Sequence, residues 1–126
     1  MTYFEDLTPY SYEDSGGGEV LNVGWLSNTQ SYPEGGVPGQ FLIALKEHAK
    51  SPVNVHRGVH FCELCPSFEE AQRVAFSDDP FIGSGEMRVM GEGHIVYAAP
   101  LMIVHYVESH DYLPPADFIR SVMQGG

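Results

Sequence analysis

Basic residues are scarce. Lys46, Lys50, Arg57, Arg73, Arg88 and Arg120 are the only lysines and arginines in 126 residues, against 17 aspartates and glutamates, for a formal net charge of −11. A phosphate backbone would be repelled, so nucleic acid is excluded as a direct partner. Long apolar runs are missing too: none reaches the ~20 residues of a membrane span, so no membrane association is expected. The opening Met1-Thr2-Tyr3-Phe4-Glu5-Asp6 is acidic where a secretory leader is basic and then apolar, which points to a cytoplasmic chain. Gly83-Ser84-Gly85 and Gly91-Glu92-Gly93 lack the spacing of a phosphate-cradling loop. No serine or threonine stands in a nucleophile context. Cysteine occurs only at Cys62 and Cys65.

What is present suits a globular fold: 43% hydrophobic and 12% aromatic residues, with no internal repeat and no linker, so 1–126 reads as a single domain. Glu19–Leu26 reads as a strand. Phe41, Leu42, Leu45 and His48 share helical spacing, which predicts a helix over Pro38–Ala49 with proline near its start. Pro52–Phe61 alternates as a strand interrupted at Arg57-Gly58. Ser67 is placed to cap a short helix running to Arg73 or Val74, with Glu70 completing a capping box. Gly85–Met90 and His94–Ala98 form a hairpin, Leu101–His110 a buried helix, and Pro114-Pro115 stops it and opens a last helix over Pro115–Met123. The expected fold is α+β: a small antiparallel sheet with three to four helices, stapled by a structural metal site. The lone tryptophan, Trp25, reads as a strand or core anchor.

The metal expectation rests on His60-Phe61-Cys62-Glu63-Leu64-Cys65 and on His105 and His110, which four residues separate. Cys-x2-Cys aims two thiolates at one ion across a single turn, and His-x3–5-His is the imidazole spacing of zinc fingers. Reducing cytoplasmic conditions disfavour a disulfide between the two thiols. On a strand, His60 and Cys62 project from the same face. Five helical positions rotate about 500°, so His105 and His110 meet only if the helix ends near Ser109. The candidate ligands are therefore His60, Cys62, Cys65, His105 and His110, five for four places, and the expected ion is Zn2+. The competing reading is two small buried hydrophobic residues beside unrelated histidines. His48, His56 and His94 have the neighbours of ordinary surface histidines.

A closed set of four protein ligands is structural rather than catalytic. The patterns of zinc deaminases and of His-Glu-x-x-His proteases are absent. The leading function is thus a zinc-binding cytoplasmic domain acting as a protein-interaction or regulatory module, its acidic surface suited to a partner with a basic surface. The alternatives are a zinc hydrolase with Glu108 as general base and a Cys-x-x-Cys dithiol redox protein. Segments about 40 residues apart would be joined by the ion, closing a long loop.

The chain also resembles an uncharacterised family of small bacterial proteins. The resemblance is carried by Tyr3-Phe4-Glu5-Asp6-Leu7, Asn22-Val23-Gly24-Trp25-Leu26, Arg57-Gly58-Val59-His60-Phe61-Cys62-Glu63-Leu64-Cys65, and Tyr97-Ala98-Ala99-Pro100 running into His105-Tyr106-Val107-Glu108-Ser109-His110-Asp111-Tyr112-Leu113-Pro114-Pro115. It implies a bacterial origin and one intact domain, and it assigns no activity.

Overall fold

The structure is a computed structural model that describes residues 4–9, 19–50, 62, 64–65, 67, 69–70, 85–91 and 93–124. Among these, three strands and three helices follow in the order β1 (Glu19–Asn22), α1 (Gly39–His48), β2 (Glu86–Met90), β3 (Ile95–Pro100), α2 (Ile103–Ser109) and α3 (Ala116–Met123). The expected strand over Pro52–Phe61 lies outside the described residues. Of the helix expected after Ser67, only its start is described, and there the Ser67 Oγ accepts the Glu70 amide at 3.2 Å as an N-cap should.

The sheet order is β1-β3-β2, and the sheet is mixed rather than antiparallel. β2 and β3 form the expected hairpin, with Arg88 opposite Ala98 and Met90 opposite Val96. The Gly91 amide closes the hairpin on the Ile95 carbonyl at 2.8 Å, and Gly93 takes a φ of +65° in the connection. β1 instead lies parallel to β3, Val20 beside Val96 and Asn22 beside Ala98. Parallel neighbours need a long crossover, and α1 lies within it.

Strand alternation sorts the side chains onto two faces. Leu21, Met87, Val89, Tyr97 and Ala99 join the main core with Phe41 and Leu45 of α1, Ile103 and Tyr106 of α2, and Phe118 and Val122 of α3. Phe118 meets Tyr97 and Phe41 edge-on, with ring centroids 5.6 and 6.3 Å apart. Val20, Trp25 and Ala98 form a smaller cluster with Phe4 and Val96 on the other face. Trp25 is buried, its indole N–H donating to the Ala98 carbonyl at 3.0 Å. The strand ends at Asn22, short of the expected Leu26, and Gly24 turns the chain with a φ of +83°. A Cβ there would stand 2.7 Å from Ile103 Cδ1, so glycine is required on both counts.

The amino-terminal segment covers the outer side of β1. Leu7 donates to Asn22 at 2.6 Å, Asn22 donates to Thr8 at 2.8 Å, and the Phe4 amide donates to the Trp25 carbonyl at 3.2 Å. No helix among the described residues is long and apolar enough to cross a membrane.

Candidate metal centre

α2 is apolar nearly all round, so Ile103 to Val107 are all buried, and His105 is carried inward with them at 8% exposure. The helix stops one residue short of His110, whose φ of −122° and ψ of 14° leave the helical region. That break brings the second imidazole round to the first. The ring centroids stand 4.7 Å apart at 85°, with Nε2 facing Nε2 at 3.0 Å.

The turn after His110 is held from several sides. Asp111 adopts a φ of +55°, which its short polar side chain tolerates. The Tyr106 carbonyl accepts the amides of both His110 and Tyr112, at 3.0 and 3.2 Å. Tyr32 donates its hydroxyl to the His110 carbonyl at 3.0 Å, and Leu113 donates its amide to Pro33 at 2.9 Å. The fully buried Tyr112 donates its hydroxyl to Asp6 Oδ2 at 2.7 Å, while Asp6 Oδ1 accepts the Gly24 amide at 3.0 Å. Burial pushes the Asp6 carboxyl above its ordinary value, against these two donors.

On the other side, Cys62 is 3% exposed and belongs to the main core, with Leu64 and Cys65 packed against that core. The amides of Leu64 and Cys65 donate to the Cys62 sulfur. Burial pushes the Cys62 thiol up to about 12, with Cys65 beside it acting in the same sense and the two amides opposing. Burial also lowers His110, with Asp111 pulling the other way.

Cys62 Sγ lies 3.4 Å from His110 Nε2, and Cys65 Sγ lies 3.2 Å from His105 Nε2 and 3.7 Å from His110 Nε2. All four donor atoms fall within 4.8 Å of one another. Metal–ligand bonds of about 2.3 Å to sulfur and 2.05 Å to nitrogen in a tetrahedron give edges of about 3.8 Å S–S, 3.5 Å S–N and 3.4 Å N–N. These three sulfur–nitrogen separations and the nitrogen–nitrogen one match those edges to within about 0.4 Å. Hydrogen bonds alone do not account for the convergence. His110 Nε2 meets both sulfurs and the other imidazole, yet a neutral ring nitrogen offers one proton or one lone pair. The residues present fit a metal ion.

Four of the five sequence candidates, Cys62, Cys65, His105 and His110, are thus brought together, and His60 lies outside the described residues. Glu108 is exposed and its carboxylate pairs with Lys46 Nζ at 2.9 Å. Sequence reasoning missed the bracing by Asp6, Tyr32 and Tyr112. Asp6 and Tyr112 are 106 positions apart, and no local pattern announces such a bond.

The chain belongs to the DUF7919 family, a domain of unknown function, which it matches over residues 2–123. No curated protein and no solved structure matches it.

Proposed function

We propose that Cys62, Cys65, His105 and His110 hold a structural zinc ion, and that the stapled domain serves in the cytoplasm as an interaction or regulatory module for a partner with a basic surface. The convergence of four donor atoms within 4.8 Å carries this reading. Two sulfurs and two imidazoles favour zinc over magnesium or calcium, which take oxygen ligands. Four protein ligands close the shell and leave no position for a reactive water, which argues for structure over hydrolysis. The pairing of Glu108 with Lys46 gives the hydrolytic reading no support. A dithiol redox role calls for a depressed thiol pKa, and burial drives Cys62 the other way. A dication at the centre would reverse that direction by stabilising the thiolate, as the two amides aimed at the sulfur already do. The net charge of −11 supports a basic partner.

Elemental analysis of the purified chain is expected to find one zinc per molecule, and a strong chelator to lower its melting temperature. Metal-free protein whose melting ignores the chelator contradicts the staple. Affinity capture at low salt tests the partner: recovery of a basic protein that is lost as salt rises supports it, and recovery of none opposes it.

A further inference from the structure

We infer that the cleft beside Asp6 and Tyr32 is a binding site for an alkylguanidinium or alkylammonium group. The inference deepens the basic-partner reading and rests on it, since it places one basic side chain of that partner.

The cleft encloses about 210 Å3 and is lined by Phe4, Glu5, Asp6, Leu26, Tyr32 and Pro33, with Ser31 at its exposed margin. Two carboxylates, two aromatic rings and apolar walls therefore share one space. The half-buried Asp6 is bonded, among the described residues, to neutral donors, the Gly24 amide and the Tyr112 hydroxyl. Among the described residues, no basic side chain reaches Asp6 or Glu5. Burial raises the Asp6 carboxyl, and the neighbouring Glu5 charge acts in the same sense.

Each class of ligand can be weighed against these walls. An anion is repelled by the two carboxylates and by the chain as a whole. A neutral molecule leaves the Asp6 charge uncompensated. A hard dication wants six or more oxygen ligands and an oxygen-rich shell, whereas Phe4, Leu26 and Pro33 make much of this lining apolar. A monovalent organic cation on an alkyl stem suits every wall: the stem lies against Leu26 and Pro33, and the head meets carboxylates and ring faces together. The volume is below the ~300 Å3 at which pockets for drug-sized ligands begin, so the site takes something the size of an arginine or lysine side chain.

The zinc-loaded full chain, with its metal content measured first, is titrated by NMR with n-butylguanidinium chloride. Butanol at matched ionic strength is the neutral control. Saturable shifts are expected at the amides of Phe4, Glu5, Ser31 and Tyr32, with a dissociation constant in the millimolar range and no such pattern from butanol. Glu5→Gln, which removes an exposed charge, weakens binding at least about threefold. Ser31→Trp fills the cleft from its margin and abolishes binding while the spectrum elsewhere is retained. Equal shifts from butanol, unsaturable shifts scattered over the acidic surface, or undiminished binding by Ser31→Trp would overturn the site. A blocked Gly-Arg-Gly peptide separates the two sources of the cation. Binding as tight as that of the free cation indicates a side chain presented by a protein, and exclusion of the peptide alone indicates a small free amine; both support the cleft. A salt-sensitive basic partner held equally by wild type and Ser31→Trp would remove the cleft while leaving the acidic-surface reading in place.

Discussion

The histidine arm and the cysteine arm of the centre reach the same point by different routes. His105 rides on α2, whose residues from Ile103 to Val107 are all buried, and His110 is fixed by Tyr32 and by the turn through Tyr112 to Asp6. That arm keeps its place through packing and hydrogen bonds that owe nothing to a metal. The cysteine arm is a turn whose amides fold back on its own sulfur, with Leu64 and Cys65 packed against the core. Among the described residues, Cys62 is itself buried in that core, and both sulfurs meet the imidazoles. The proposed ion would add to a frame that packing and hydrogen bonds already build on the histidine side, and would tie the buried cysteine turn to it.

The largest expected effect comes from breaking the cysteine arm. Cys62→Ser or Cys65→Ser should release the metal and lower stability by several kcal/mol, read by chemical denaturation alongside metal content. Next, chelation should expose the arms differently. Hydrogen exchange around Cys62–Glu70 is expected to accelerate at least about tenfold, or ~1.4 kcal/mol of local protection, with a smaller change over Val104–Val107. Equal acceleration in both would erase the distinction. Tyr112→Phe removes one buried hydroxyl bond from the histidine arm and should cost about 1 kcal/mol with metal retained, and Tyr32→Phe somewhat less because that site is partly exposed.

The acid response has a definite sign. Burial lowers the imidazoles of His48 and His110 from the ordinary 6.5, so the unfolded chain takes up protons first as pH falls. Their contribution is complete above about pH 6.5 and is lost progressively as pH drops toward the lowered folded-state values. Metal loss by ligand protonation runs the same way. The melting temperature should therefore fall between pH 7 and pH 5.5, and His48→Gln should soften that fall slightly. The smallest effect belongs to Glu108→Gln. Its exposed pair with Lys46 is worth less than about 0.5 kcal/mol, and metal content should not change.

The contrast between the arms also marks what the sequence made legible. Thiol and imidazole spacing put the four converging residues among five candidates, His60 being the fifth, and the rotation of a helix over five positions required the break that His110 makes. The β2–β3 hairpin was readable because its turn residues and both strands lie within one short stretch. β1 was not paired correctly, since its neighbour β3 lies beyond a long crossover and alternation gives a strand's faces but not its partner. The end of β1 at Asn22 was hidden for a related reason. Gly24 turns the chain away to let Ile103 approach, and the Trp25 indole joins the Val23 amide on the Ala98 carbonyl. The Asp6–Tyr112 bond is likewise a product of the finished fold, which no local periodicity encodes.

The central claim is that one ion joins both arms. The most direct measurement is a crystal structure with anomalous scattering recorded at the zinc edge. A single peak bonded to Cys62 Sγ, Cys65 Sγ, His105 Nε2 and His110 Nε2 at about 2.0–2.4 Å is the predicted result. Density free of any anomalous peak, or a peak with water in place of one of those four donors, would contradict it.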